Sequence, residues 1–389
     1  MENFEFLSPT RIIFGRGLET RVGDECKKYV SKVLFLYGGG SIKHSGLYAK
    51  IVRSLNEAGV EFIELGGVKP NPRLSLVHQG VTLCRQAGVG MILAVGGGSV
   101  IDSAKAIALG VPYTGDVWDF YSNRAVPEES LPVGVVLTIP AAGSEASKSS
   151  VITNEDGWLK WGLNIEISRP RFAILNPELT YSLSAYQTAC GAVDIMAHVM
   201  ERYFTNVAEV DYTDRLCEAT IKTVIKNTPL ALAASDNYAA RAEMMWAGTL
   251  AHNDLLGTGR LGDWAAHQIE QEISAVYDVA HGAGLAVVFP AWMKYTLQRN
   301  LNKFTQFAVR VWDVEYDFEN PEATAREGIR RLEYFYRRIG MPLTLHELQV
   351  PDDRLEEIAA KALKPWMKSV GAVSRFNKED ILAVLQLAR

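Results

Sequence analysis

The sequence predicts an α/β N-terminal domain built on a mostly parallel sheet, followed by an all-α C-terminal domain. Three observations carry this reading. Up to residue 175, short apolar runs alternate with helix-periodic segments. Two of those runs end in the same residues, Gly-Gly-Gly-Ser, at 38–41 and 96–99. From about residue 181, strand-like runs give way to long stretches with helical periodicity. A chain of 389 residues also exceeds the usual single-domain size.

Taken in order, residues 33–37 (VLFLY) form the first strand-like run and stop at the first glycine cluster. Ser45 to Ala58 follows with Leu47, Ile51, Val52 and Leu55 at helical spacing. Residues 60–65 read as strand, 74–88 as helix and 91–95 as strand, and the next helix starts after the second glycine cluster. Further strands are expected at 133–139 and 172–175. Such alternation implies βα units and a mostly parallel sheet. The proline and polar residues of NPELTYSLS (176–184) mark a boundary, giving expected domains 1–180 and 181–389. Beyond it, 185–204, 212–233, 238–254 and 327–340 are helix-periodic with few strand candidates.

Composition limits the function classes. Apolar residues make up 48% and charged residues 22%, which suits a globular chain with a large core. The net charge of −5 and the absence of a basic tract argue against nucleic acid or membrane surfaces as partners. No apolar run is long enough to span a bilayer, and MENFEFLSPT lacks the features of a secretory signal. The four cysteines show no CxxC pair, so free thiols in a reducing cytoplasm are expected.

The glycine clusters are the first chemical clue. In parallel sheets ligands bind at the carboxyl ends of strands, where glycines admit a phosphate and the next helix offers unpaired N–H groups. In AVGGGSVIDSAKAIAL, Gly96, Gly97, Gly98 and Ser99 would cradle a pyrophosphate. Asp102, one turn into the helix, would fix the loop or accept a ligand hydroxyl. The alternative is a tight turn whose glycines serve backbone geometry alone. No P-loop signature occurs, neither cluster is G-x-G-x-x-G, and GRGLET (15–20) lacks the third glycine.

The second clue is VDIMAH (193–198), which sets Asp194 and His198 one turn apart in an apolar run. A buried carboxylate without a partner is costly. With His267 and His281 downstream, one carboxylate and three imidazoles could hold Fe2+ or Zn2+. A hydrogen-bonded Asp–His pair in a core is an equal alternative on spacing alone. His252 lies in the same region and is set aside as structural, with His44, His78 and His346. Trp264, three residues before His267, is a candidate wall of the substrate site or a core aromatic.

These motifs, with PTRIIFGRG, KPNP (69–72), LTIPAAGSEAS (137–147) and HGAGLAVVFPAWM (281–293), run the length of the chain. In that order they resemble the iron-containing, group III alcohol dehydrogenases, and more narrowly the NADPH-dependent butanol dehydrogenases and broad-range aldehyde reductases. The resemblance implies that Asp194, His198, His267 and His281 ligate the metal. It implies that Gly97, Gly98, Ser99 and Asp102 hold the pyrophosphate and neighbouring ribose. Asn71, Thr138 and Ser144 would line the cofactor site, Lys160 would contact the nicotinamide ribose, and Leu179 would pack near that ring. Two positions depart from the family: Gln271 stands where many members carry a histidine with a suggested proton-relay role, and Ser184 where proline is common. Glutamine does not titrate near neutral pH, so solvent or a ribose hydroxyl must move the proton.

Cofactor choice follows from charge. An acid at the end of the first strand would bind the 2′-hydroxyl of NAD and repel a 2′-phosphate. Here Gly38, Gly39, Gly40, Ser41 and Lys43 stand there instead, which favours NADP(H). The expected activity is metal-assisted hydride exchange between NADP(H) and a primary alcohol or aldehyde. Fe2+ is expected because it accepts more than four ligands readily, with Zn2+ as the alternative. A homodimer is the family-level expectation, with RIIFG as a candidate edge strand. The rival readings are a zinc-dependent polyol dehydrogenase of the same superfamily and a non-catalytic nucleotide-binding protein.

Overall fold

The computed structural model describes residues 1–389, which form two compact units. One comprises Leu7–Leu183 with Ser235–Thr249; the other comprises Met1–Phe6, Ser184–Ala234 and Leu250–Arg389.

The first unit holds the strands β1 (Arg11–Phe14), β2 (Lys32–Tyr37), β3 (Glu61–Leu65), β4 (Met91–Gly96), β5 (Val133–Leu137), β6 (Ser149–Asn154), β7 (Leu159–Asn164) and β8 (Phe172–Leu175). Its helices of ten residues or more before Leu183 are α1 (Leu47–Glu57), α2 (Leu74–Ala87) and α3 (Gly98–Gly110). Six strands form one sheet in the order β1-β8-β5-β4-β2-β3, and every neighbouring pair is parallel. Side chains alternate between two cores, as a pleated strand requires. Leu34, Leu36, Ile92 and Ala94 pack with Val77 of α2 and Ile101 and Ile107 of α3. Val33, Phe35, Met91 and Leu93 pack with Leu47, Ile51 and Leu55 of α1. Both faces are covered, which is why these strands read as unbroken apolar runs.

This arrangement also positions the glycine clusters. β2 and β4 are neighbours, with Tyr37 beside Val95. The helix after β2 covers one face and the helix after β4 the opposite face. The strand order therefore reverses between them, the place where open parallel sheets bind ligands. β1 is an edge strand paired only with β8. The antiparallel pair β6–β7 was not expected from the sequence. It carries a half-polar surface, and its buried Trp161 stacks on Trp118 with ring centroids 5.3 Å apart.

The second unit is helical: α4 (Ala185–Tyr203), α5 (Asp211–Ala233), α7 (Ala265–Tyr277), α8 (His281–Thr296), α9 (Leu301–Trp312), α10 (Pro321–Arg338) and α11 (Lys378–Leu387), with α6 (Tyr238–Ala251) between α5 and α7 in the chain. Ser184 caps α4 in a reciprocal box with Gln187, each side chain bonding the other's backbone N–H at 3.1 Å. That gives the serine a local task a proline could not perform. The units depart from an unbroken cut at 180/181 in three places, the first being that the boundary falls after Leu183. Met1–Phe6 belongs with the helices, and most of α6 belongs with the sheet. There Trp246 meets the ring of Phe14, and the Arg16 guanidinium lies 3.7 Å over the ring of Tyr238.

Candidate metal centre and nucleotide loops

α4 presents Asp194, His198 and Glu201 on one face, at intervals of four and three residues. All three are buried. His267 stands in the first turn of α7, and His281 is the first residue of α8. Ligand atoms of Asp194, His267 and His281 all lie within 4.8 Å of one another. Asp194 Oδ1 is 3.7 Å from His281 Nε2 and 3.0 Å from His198 Nδ1. His198 does not belong to that closest set, but its ring lies 4.5 Å from the ring of His267. Its Nδ1–H donates to the Asp194 backbone carbonyl at 2.9 Å, so Nε2 is the nitrogen left to bind an ion.

The cluster has the signature of a cation site. Asp194 Oδ1 and His267 Nε2 are buried and accept or donate no well-directed hydrogen bond. Such atoms are costly in a folded interior unless something satisfies them. A divalent ion meeting one carboxylate and imidazole nitrogens does so, and this donor set suits Fe2+ or Zn2+.

Two buried glutamates, which the sequence reading assigned no role, complete the cluster. Glu201 Oε1 accepts from His267 Nδ1–H at 2.8 Å and from the His267 backbone N–H at 3.0 Å, while Oε2 accepts the Trp264 N–H at 2.5 Å. Glu270 Oε2 accepts from His281 Nδ1–H. A signal existed for both, since Glu201 and Glu270 each follow a candidate ligand by three residues on the same helix face. Nothing in the sequence says that a helical glutamate is buried.

Electrostatics fit a site that gathers positive charge. Burial pushes the Asp194 carboxyl up, but His198, His281 and His267 outweigh it and hold the group well below the usual carboxylate range. Burial, with His198 and His281 alongside, drives His267 well below the ordinary imidazole value, which favours the neutral ring. Burial raises Glu201 to about 7 against the two backbone N–H groups it accepts.

Trp264 and His252 lie against the same cluster. Trp264 has left-handed backbone, φ 67°, and its ring is 5.4 Å from that of His267 and 4.7 Å from the Arg202 guanidinium. His252, set aside in the sequence reading, lies 4.4 Å ring to ring from His198. Gln271 is half-buried one turn beyond His267.

In the α/β unit, Gly97 caps α3 with extended backbone, and Gly98 and Ser99 form its first turn. A β-carbon at Gly96 would meet Val100 at 2.5 Å, so packing alone demands that glycine. At Gly39 it would meet nothing within 4 Å, and that residue has no positive φ. Gly39 is exposed, so neither packing nor backbone strain accounts for a glycine there. Gly38, Gly39, Gly40 and Ser41 line the turn from β2 into a short helical turn at Ser41–His44.

Asp102 fixes its loop: Oδ1 accepts Ser144 Oγ–H at 2.6 Å and Oδ2 accepts Val151 N–H at 3.0 Å. Thr138 follows β5, its N–H bonded to the Gly96 carbonyl at 3.0 Å. Lys105, absent from the sequence reading, is fully buried and donates to the carbonyls of Ser144, Ser147 and Ser149 at 2.6–2.9 Å. Lys160 is buried, not a surface residue, and donates to Asn71 Oδ1 at 2.8 Å. Leu179 sits in a 3₁₀ turn, Pro177–Thr180, packed with the core on the α1 face. The structure thus gathers Gly97, Gly98, Ser99, Asp102, Thr138 and Ser144 at the ends of β4 and β5 and joins Asn71 to Lys160.

Comparisons with known proteins agree with both halves. The profile described as iron-containing alcohol dehydrogenase matches residues 9–177, and that of the Fe-containing alcohol dehydrogenase family, C-terminal, matches residues 188–389. A probable NADH-dependent butanol dehydrogenase of Bacillus subtilis is 44% identical over 386 residues, 99% of each chain. The NADPH-dependent aldehyde reductase YqhD of Escherichia coli is 33% identical over 374 residues, 95% of each chain. The crystal structure of the NADH-dependent butanol dehydrogenase A of Thermotoga maritima superposes with a TM-score of 0.96 at 41% identity, covering 100% of this chain and 99% of that one. The chain belongs to the iron-containing alcohol dehydrogenase family, and is an oxidoreductase of alcohols and aldehydes whose family implies a nicotinamide cofactor and a metal.

Proposed function

We propose that this protein interconverts a primary alcohol and its aldehyde, of butanol and butanal size, using NADP(H) and a divalent metal, Fe2+ or Zn2+. The observation that carries the reading is the convergence of Asp194, His267 and His281, with Asp194 Oδ1 and His267 Nε2 buried and without a hydrogen bond. Asp194, His198 through Nε2, His267 and His281 hold the ion. When bound, the metal supplies Lewis acidity at the substrate oxygen and the reduced nicotinamide supplies hydride. Glu201 and Glu270 keep the rings of His267 and His281 in place. Gly97, Gly98 and Ser99 receive the pyrophosphate at the start of α3, with Asp102 and Ser144 fixing the loop. Asn71, Thr138, Lys160 and Leu179 serve the rest of the dinucleotide.

The preference for NADP(H) rests on the turn after β2, where Gly38–Ser41 and Lys43 bring no carboxylate to meet a 2′-phosphate. A second reading, NADH preference, is favoured by relatives of 40–44% identity named as NADH-dependent. A homodimer in the cytoplasm completes the proposal, with β1 as the edge available for pairing. The test follows the near-ultraviolet absorbance of NADPH and of NADH when each is mixed with butanal and protein loaded with Fe2+ or Zn2+. Metal-dependent oxidation that is faster with NADPH is the expected result. Oxidation without metal, or none with any ion, refutes the reading.

A further inference from the structure

Each buried glutamate of the cluster does two things at once. Glu201 comes from α4 and satisfies two N–H groups at the start of α7, those of Trp264 and His267. These are among the groups a helix cannot bond internally. The same carboxylate grips Nδ1 of His267. Glu270 comes from α7 and grips Nδ1 of His281, the residue that opens α8. α8 makes room for it: a β-carbon at Gly284 would come within 2.5 Å of Glu270 Oε1. A second glycine, Gly282, lets α8 approach α4, since a β-carbon there would strike the Cys190 carbonyl at 2.1 Å. The support therefore passes in sequence, from α4 to the histidine of α7 and from α7 to the histidine of α8.

We infer that Glu201 and Glu270 are the positioning residues of the metal centre, each locking its histidine in the Nδ1–H tautomer so that Nε2 faces the ion. The inference rests on the metal-dependent reading above. Two observations carry it beyond helix capping. Both carboxylates reach ring nitrogens, and in His267 the opposite nitrogen, Nε2, is the buried atom left without a partner. A neutral imidazole that donates from one nitrogen can only ligate through the other. An amide in place of either carboxylate can donate to Nδ1 instead, which moves the ring proton to Nε2 and blocks the ligand.

The experiment measures Zn2+ affinity by competition with a chromophoric chelator for the full chain, E270Q and E201Q, with the melting temperature of each metal-free protein alongside. E270Q is the principal variant, because the Glu270 hydrogen bond goes to the ring rather than to backbone. The expected result is a loss of Zn2+ affinity of about 10- to 100-fold in both variants, with the Co2+ ligand-field spectrum altered and the metal-free melting temperature little changed in E270Q. E270D, which keeps the charge, should recover part of the loss. Independently of any variant, nitrogen-15 histidine spectra of the zinc-loaded wild-type chain should show all three ligand rings protonated at Nδ1, those of His267 and His281 among them. Unchanged affinity in both variants, or Nδ1 bound to zinc in the wild type, overturns the inference while leaving the proposed function intact. A wild-type chain that binds neither Zn2+ nor Fe2+ overturns both.

Discussion

The glycine loops and the histidine cluster face opposite physical problems. On the proposed reading the loops bind with backbone, so their requirement is room: Gly39 leaves space that no side chain of the protein fills, and the start of α3 offers its N–H groups. On the same reading the cluster binds with side chains from α4, α7 and α8, so its requirement is rigidity, met by buried carboxylates that hold the rings of His267 and His281. A loop of contiguous residues carries its geometry with it. A cluster drawn from separate helices depends on every helix arriving in register.

That contrast predicts how each region fails. The largest effect falls on the cluster: His267→Ala should lower turnover by at least about 1,000-fold and deplete bound metal, because the Lewis acid is lost. Dinucleotide affinity, measured by fluorescence titration, should stay within about twofold if the two regions bind separately. A parallel loss of dinucleotide binding would break the contrast.

Next in size is the loop side. Lys105→Met strips donors from the carbonyls of Ser144, Ser147 and Ser149 and removes the positive charge that most favours ionised Asp102. Denaturant unfolding should show a loss of about 3 kcal/mol, and dinucleotide affinity should fall while metal content holds. Smaller still, Lys43→Ala should reduce kcat/KM with NADPH by about tenfold and leave the NADH value nearly unchanged, since an exposed charge on a phosphate is partly screened. Equal losses with both cofactors would show that Lys43 does not read the 2′-phosphate.

The smallest effect should be shared by both units. Burial pushes the thiols of Cys26 and Cys84 in the α/β unit, and of Cys190 and Cys217 in the helical unit, up to about 12 from the ordinary value of 9.0. These groups ionise in the unfolded chain first. The stability they contribute is whole well below pH 9 and is lost as pH rises toward 12. At pH 9 each should account for about 0.4 kcal/mol of that loss. Unfolding of Cys84→Ala and Cys217→Ala at pH 7 and pH 9 would check it, by a pH difference smaller than that of the wild type in both. A change confined to one unit would show that burial is not the common cause.

Much of the fold was legible. β2 and β4 read as strands because they are buried on both faces, and their unbroken apolar runs end at glycine. Asp194 and His198 could be paired on paper because one helical turn fixes their spacing. The β6–β7 hairpin escaped because its strands mix Lys160, Gly162 and Asn164 with apolar residues, so alternation is weak. Lys105 escaped because its partners lie in a loop some forty residues on. Glu201 and Glu270 escaped because a glutamate on a helix is ordinarily solvated, and only the packing of α4, α7 and α8 removes these from water.

The sequence by itself determined what the chain's own periodicity sets: the alternation of strand and helix, the glycine turns that end two strands, and the carboxylate–imidazole pair on one face of α4. Only the tertiary structure decided that His267 and His281 meet Asp194, and that Glu201 and Glu270 stand behind them. The reason is one of range. Backbone geometry relates residues a few positions apart, whereas distances between side chains on different helices are set by how those helices pack, and glycines such as Gly282 and Gly284 permit that close approach.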